Sequence, residues 1–293
     1  MSALSLAQLV SWGALTYSFS LLIVPMEAEL GWSRASLSGA LSLGLLVAGL
    51  LSYPVGTWID RRGGRWLMSA GSALGALLLA AWSQVESLPV FYLIWVGLGA
   101  ATAASLYEPV FAVLTRLFPA SFRTKITAIT LVGGFASTLF IPLTQWLIAG
   151  WGWRGALMWL AGTVAVLCLP VHLCALACER PGPGEVHAAP EPGQVRRALR
   201  TRPFWGLLAC FTAYYGTFSA MTYHMVPMLT EQGVAPGLAV LALALIGPSQ
   251  VAGRAGLLLL ANRPRTRVLG PLVTGLYTVA VLPLALHLPG EWA

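Results

Sequence analysis

Apolar residues run along this chain in long blocks, broken by short polar stretches. A helix needs about 20 apolar residues to cross the hydrocarbon core of a bilayer. By that measure the pattern predicts nine spans: Leu6 to Pro25, Ala35 to Ile59, Trp66 to Val85, Val90 to Phe118, Lys125 to Ala149, Gly155 to Ala177, Phe204 to Leu229, Leu238 to Leu260 and Val268 to Leu288. The blocks are apolar all round, whereas membrane strands would alternate apolar and polar residues. An all-α membrane protein is therefore expected. The many Ala, Gly and Ser residues within the blocks suit close helix packing in lipid.

The polar stretches between the blocks fix an orientation. With the first residue in the cytoplasm, Arg61, Arg62, Arg65, Arg116, Arg123, Lys125, Arg180, Arg196, Arg197, Arg200, Arg202, Arg263, Arg265 and Arg267 fall in inner loops. Only Arg34 and Arg154 fall outside, together with Glu27, Glu29, Glu86, Glu231 and Glu291. Cytoplasmic loops carry the excess of Lys and Arg, so the N-terminus is expected to be cytoplasmic. Arg254 alone among the basic residues lies within a span.

Composition supports this reading. The 293 residues are 57% hydrophobic and only 9% charged, against about a quarter charged in soluble proteins. The net charge of +7 is spread over short clusters rather than one patch, so nucleic acid is not an expected partner. The first run has no basic flank and no small-residue cleavage site, so no cleaved signal peptide is expected. Cys168, Cys174, Cys178 and Cys210 make no Cys-x-x-Cys pair and read as small buried side chains. There is no phosphate loop, metal cluster or nucleophile–base pair, so neither an enzyme nor a metal or cofactor site is expected.

Residues 179–202 (ERPGPGEVHAAPEPGQVRRALRTR) are charged and rich in Pro and Gly, cannot span, and read as a cytoplasmic linker, with His187 solvated in it. They separate a six-helix unit, 1–178, from 203–293, which holds three runs. An offset of 202 residues pairs Pro25 with Pro227, Glu29 with Glu231, Gly31 with Gly233 and Arg61 with Arg263, with Asp60 facing Asn262. That supports a duplicated unit.

The turn Gly56-Thr57-Trp58-Ile59-Asp60-Arg61-Arg62-Gly63-Gly64-Arg65, lying between two spans, resembles the loop between helices 2 and 3 of the major facilitator superfamily of secondary transporters. Gly56 would let a neighbouring helix come close, and Gly63 and Gly64 would permit the reversal, since glycine tolerates positive φ. The resemblance implies a conformational latch of Gly56, Asp60, Arg61, Gly63 and Arg65. It also implies a twelve-helix fold, of which the second half here is incomplete. The latch partner in the family lies partly on helix 11, which has no counterpart in these nine runs.

Further runs resemble the bacterial relatives of the monocarboxylate and oxalate–formate transporters. They are Tyr17-Ser18-Phe19 with Pro25 and Glu29 to Ala35, Tyr107 to Ala112, Gly133 to Thr138 with Gly152 to Gly155, and Gly247-Pro248-Ser249-Gln250 with Gly253-Arg254. The resemblance implies a bacterial inner-membrane transporter of a small organic anion, with Arg254 matching the helix-8 arginine that receives the substrate carboxylate. Guanidinium is always charged and can make a two-pronged contact. Where the family often has an aspartate one turn before that arginine, this chain has Gln250. Where relatives carry a lysine on helix 1, Leu21 to Val24 are apolar.

Glu108 lies about ten residues into helix 4, roughly 15 Å deep at 1.5 Å per residue. A carboxylate there is costly unless paired, hydrated or protonated, and ionisable residues at such depth mark pathways, so Glu108 is the expected proton-coupling group. Pro109 beside it would free a backbone carbonyl and bend the helix. Tyr17 and Tyr214 are expected to line the cavity with Gln250 and Arg254. Tyr107 and Tyr215 are weaker candidates, and His224 is expected to be a vestibule or packing residue. Efflux of a drug-like compound, with Arg254 structural, is the rival reading within transport. A non-transporting membrane sensor or scaffold is the rival outside it.

Overall fold

A computed structural model describes residues 2–177 and 194–260, and beyond them Gly275, Leu276, Thr278, Val279 and Leu282. Eight spans are present among the described residues, in the predicted order. Most of the ninth predicted span and of the linker, with His187 and Cys178, lie outside them.

The first span, Ser2–Leu30, consists of α1 (Ser2–Trp12), a π-helical turn (Gly13–Tyr17) and α2 (Phe19–Leu30). The second is the unbroken α3 (Arg34–Arg62) and the third is α4 (Arg65–Trp82). The fourth is split into α5 (Leu88–Ser105) and α6 (Tyr107–Leu117). The helix α7 (Phe122–Gly133) leads into α8 (Ala136–Thr163), a second π turn (Val164–Cys168) and α9 (Leu169–Ala175). Within α8, Gly152 sits at φ 67°, ψ 174° and reverses the chain, which makes this continuous stretch the fifth and sixth spans. A short helix, α10 (Gln194–Ala198), precedes the seventh span, α11 (Arg202–Glu231). The eighth is α12 (Pro236–Ala244) followed by α13 (Ile246–Leu260).

The first and seventh spans both end on glycine with positive φ, Gly31 at 66° and Gly233 at 83°. That conformation ends a helix at little cost only for glycine. Pro25 and Pro227 both lie near the ends of the helices they interrupt.

Within the first half, helices meet where side chains are smallest. A Cβ on Gly99 would run into the Gly44 carbonyl of α3, and one on Gly71 would fall 2.8 Å from the Ala104 Cβ. An aromatic cluster of Phe19, Trp82, Phe91 and Trp95 fills the core beside these crossings, with Phe19 edge-on to Trp95 at 5.1 Å and to Tyr223 of α11 at 5.7 Å. A smaller core of Ile59, Met68, Val110, Val113 and Leu114 closes the end that carries the arginine turn. The outside is apolar: Leu46, Leu50, Leu77, Leu93 and Val166 are exposed, as lipid requires. This is a multi-pass membrane protein with an all-α fold.

Three expectations need correction. Gly64 is in the right-handed region (φ −89°), and glycine is needed there because a Cβ would collide with Val113. A Cβ on Gly56 would meet nothing within 4 Å, so no close helix approach explains that glycine. Cys168 is buried as expected, but Cys174 and Cys210 are exposed on the outside of the bundle.

Candidate functional site

Five spans are interrupted among the described residues, and four of the breaks lie against one another. The first span carries the π turn ending at Tyr17, the fourth breaks at Leu106, the fifth at Gly133–Phe135 and the eighth at Leu245. A Cβ on Gly13 would collide with the Phe140 ring, one on Gly133 with the Tyr107 hydroxyl, and one on Gly247 with Thr138. π turns and interrupted helices concentrate at functional sites, because unwinding exposes polar backbone inside the membrane.

Two of the breaks share one cause and one remedy. Pro109 has no N–H for the Ser105 carbonyl, and Pro248 has none for that of Ala244. A buried acceptor left without a donor costs about 1–3 kcal/mol. Gln8, fully buried on α1, donates from Nε2 to the Ser105 carbonyl at 2.7 Å. Thr138, on α8, donates from Oγ1 to the Ala244 carbonyl at 3.2 Å. The second bond joins the fifth span to the eighth.

The breaks of the first and fourth spans border a cavity of about 300 Å³. Helices 1, 2, 4 and 7 line it, mostly with apolar and aromatic side chains such as Trp12, Leu41, Trp95, Leu98 and Tyr223. Glu108 is its one charged lining residue, in the first turn of α6. Its side chain is exposed to the cavity. Tyr17, largely buried at 7% exposure, also lines the cavity and faces the Gln250 side chain, with Arg254 beyond it.

Arg254 is half-buried. Its Nη1 donates to the Thr130 carbonyl near the C-terminus of α7, and its Nη2 donates to Gln250 Oε1 at 3.3 Å. The C-terminal end of a helix carries partial negative charge, so this seat suits a cation. Tyr107 stands beside the same guanidinium and packs on Trp12 at 4.9 Å. The structure thus brings Tyr17, Tyr107, Gln250 and Arg254 together, with Glu108 next to Tyr107. Tyr214 is not among the lining residues. It stacks on Phe218, while its neighbour Tyr215 lines the cavity. Three hydrogen-bonding groups on lining residues, Trp12 Nε1, Trp95 Nε1 and Thr222 Oγ1, have no partner among the described residues.

The arginine turn lies at one end of the bundle. Gly63 makes the reversal at φ 81°, and its N–H closes α3 on the Ile59 carbonyl. Arg116, at the end of α6, donates to the same carbonyl at 2.8 Å, tying the fourth span to the second. Arg65 donates to the Leu173 carbonyl at 2.9 Å, tying the third span to the sixth. Asp60 and Arg61 are exposed at the end of α3.

At the opposite end, charges join the first and second spans to the seventh. Arg34 makes two contacts to Glu27, of 3.2 and 3.0 Å, and one of 2.8 Å to Glu231 of α11. Beside it, Ser38 and His224 approach to 3.5 Å, which places His224 at a contact between helices 2 and 7. Arg154 pairs with Glu29 at 2.8 Å and donates to the Ser83 and Val85 carbonyls, locking the first, third and sixth spans. Gln8, Arg116, Thr138, Trp95 and Thr222 were not singled out by sequence. Only Pro109, read as freeing a backbone carbonyl, hinted that a donor such as Gln8 must exist.

Comparison with known proteins agrees with this architecture. Monocarboxylate transporter 13 of Bos taurus is 29% identical over 240 residues, covering 81% of this chain and 55% of that protein. Monocarboxylate transporter 13 of Rattus norvegicus is 28% identical over the same share of each chain. Monocarboxylate transporter 11 of Homo sapiens is 28% identical over 62% of this chain and 39% of its own length. This chain therefore spans about half the length of the curated relatives it matches. The sequence signature of the Major Facilitator Superfamily matches residues 4–293. With its bundle of broken helices around a central cavity, the chain belongs to the Major Facilitator Superfamily.

Proposed function

We propose that this chain carries a small organic anion, a monocarboxylate, across the membrane by alternating access, coupled to a proton through Glu108. The observation that carries this reading is the meeting of a half-buried guanidinium and a cavity carboxylate where four helices break. Arg254 already holds two acceptors, the Thr130 carbonyl and Gln250. A carboxylate that displaced Gln250 would exchange a neutral acceptor for a charged one, which makes a shorter and stronger bond. Tyr17 and Gln250 stand ready to donate to its second oxygen. Ionised Glu108 repels such an anion, and protonation removes the repulsion, so anion and proton enter together. The names of the relatives support a monocarboxylate as the cargo.

On this reading residues 1–178 and 203–293 are parts of two halves joined by the linker at 179–202, and one half rocks against the other. The arginine turn faces the cytoplasm and the N-terminus lies there too, in a bacterial inner membrane. Gly56, Asp60, Arg61, Gly63 and Arg65 act as the latch on that side, with Arg65 anchoring the turn to the sixth span.

The test is uptake of a labelled monocarboxylate into proteoliposomes with and without an inward proton gradient. Uptake should rise with the gradient, lose that dependence in Glu108→Gln, and fall at least tenfold in Arg254→Gln. Uptake unchanged in Glu108→Gln across pH removes the coupling claim. One observation favours a second reading, efflux of an apolar drug-like compound. The cavity lining is aromatic and apolar, and Arg254 stands behind Tyr17 rather than in the wall. A thermal-shift screen separates the two, because anions should stabilise the protein only on the first reading.

A further inference from the structure

We infer that the cargo is larger than a two- or three-carbon acid: an aryl-substituted monocarboxylate whose far end carries a hydrogen-bond acceptor, read by Trp95 and Thr222. This rests on the anion reading above and extends it along the same cavity.

The first ground is shape. On the fourth span the lining runs from Trp95 to Glu108, thirteen residues apart. At 1.5 Å per residue that is about 20 Å of wall. The volume of about 300 Å³ reaches the range that holds drug-sized ligands. An acid of two or three carbons bound near Arg254 would leave the remaining length vacant. Vacant apolar space forfeits contacts that a filling group would make.

The second ground is the chemistry of that far stretch. Away from Glu108 the wall is Leu41, Trp95, Leu98 and Tyr223, which suits a flat apolar body. Edge-to-face or offset packing of an aryl ring on Trp95 and Tyr223 would add to the burial of its surface. At the same place two polar groups stand unused. Trp95 is 4% exposed and Thr222 is 3% exposed, and neither Trp95 Nε1 nor Thr222 Oγ1 has a partner among the described residues. Indole N–H is a donor only, and the threonine hydroxyl donates as readily as it accepts. Buried polar groups in native proteins are nearly always satisfied, and those that are not call for an outside partner. Phe19 packs edge-on against Trp95 at 5.1 Å and against Tyr223, the chain neighbour of Thr222, at 5.7 Å, so α5 and α11 meet at this stretch and both Trp95 and Thr222 line the same cavity. Trp95 comes from the first half and Thr222 from the second. An acceptor held between them would therefore be gripped only while the halves are together at this end.

The experiment is calorimetric titration of the full chain in lipid nanodiscs with propanoate, 3-phenylpropanoate, 3-(4-hydroxyphenyl)propanoate and 4-propylphenol. The ring should tighten binding over propanoate by about tenfold or more. The para hydroxyl should add roughly fivefold over the unsubstituted ring. That hydroxyl-to-unsubstituted ratio should fall to near one in Thr222→Val and in Trp95→Phe. The wild-type ratios alone decide the matter if either variant fails to fold. Equal affinity for propanoate and its phenyl derivative overturns the inference and leaves the anion reading intact. A hydroxyl ratio of one in the wild type, or one that survives both substitutions, also overturns it and assigns the two groups to water. If 4-propylphenol binds as tightly as the matching acid with the hydroxyl preference kept, the Trp95–Thr222 site stands and the anion reading falls.

Discussion

Replacing Glu231 with Gln should loosen the two halves without unfolding either. Arg34 sits between two carboxylates with different duties. Glu27 lies on its own half, while Glu231 lies on the other, so only the second pair is sensitive to how the halves sit. Two unit charges at about 4 Å interact by roughly 4 kcal/mol at an effective dielectric of 20. Solvent and side-chain entropy reduce that to about 0.2–1 kcal/mol for exposed pairs. The side chains of Arg34 and Glu27 are 23% and 24% exposed and meet through two bonds. That pair should stand at or just above the top of the range, about 1–2 kcal/mol. Glu231 is 43% exposed and makes one contact with Arg34, so about 0.5–1 kcal/mol is expected. Spent wholly on the equilibrium between closed and open arrangements at this end, it corresponds to roughly a two- to fivefold shift. Spin labels at Glu86 and Gln232, in a chain with its native cysteines replaced, would report the separation by electron–electron resonance. In Glu231→Gln the population at long distance should rise two- to fivefold with the melting temperature nearly unchanged. In Glu27→Gln the melting temperature should fall while the distances stay put. Molar salt should move the wild type toward the Glu231 variant, because a part-exposed pair is screened. If Glu231→Gln leaves the distance distribution untouched, or Glu27→Gln opens the halves equally, the division of labour assigned to Arg34 is wrong.

Gly99→Ala should prevent stable folding, since the new methyl meets the Gly44 backbone rather than a side chain that can turn aside; loss of the monodisperse peak on size-exclusion chromatography would register it. Gly63→Ala should cost about 1 kcal/mol or more because φ is 81°, whereas Gly56→Ala should be near neutral in a side-by-side thermal melt, having open space around it. Gln8→Leu should destabilise by about 1–3 kcal/mol through the abandoned Ser105 carbonyl, and Gln8→Met, which keeps the length but has no donor, should fail to rescue it.

The spans, their order and their ends were legible in the residues because each depends on its neighbours in the chain. A run of apolar side chains is long enough to cross lipid or it is not, and glycine ends a helix at Gly31 as it does at Gly233, 202 positions on. The same locality exposed the break in the fourth span, since Pro109 must leave the carbonyl four residues back without its helical donor, whereas the breaks in the first, fifth and eighth spans were not read from the sequence. It also made Glu108 and Arg254 conspicuous, as charges inside otherwise apolar helices. What the sequence could not say is which way each helix turns about its axis. A helix that is apolar all round carries no stripe to mark an inner face, so nothing local distinguishes Tyr215, in the cavity wall, from Tyr214 beside it. Partners suffer the same ambiguity: Gln8 finds Ser105, 97 residues away, and Arg34 finds Glu231 across the two halves. Those pairings follow from the rotation and crossing of packed helices, which small residues such as Gly44, Gly99 and Gly247 permit and only the assembled bundle decides.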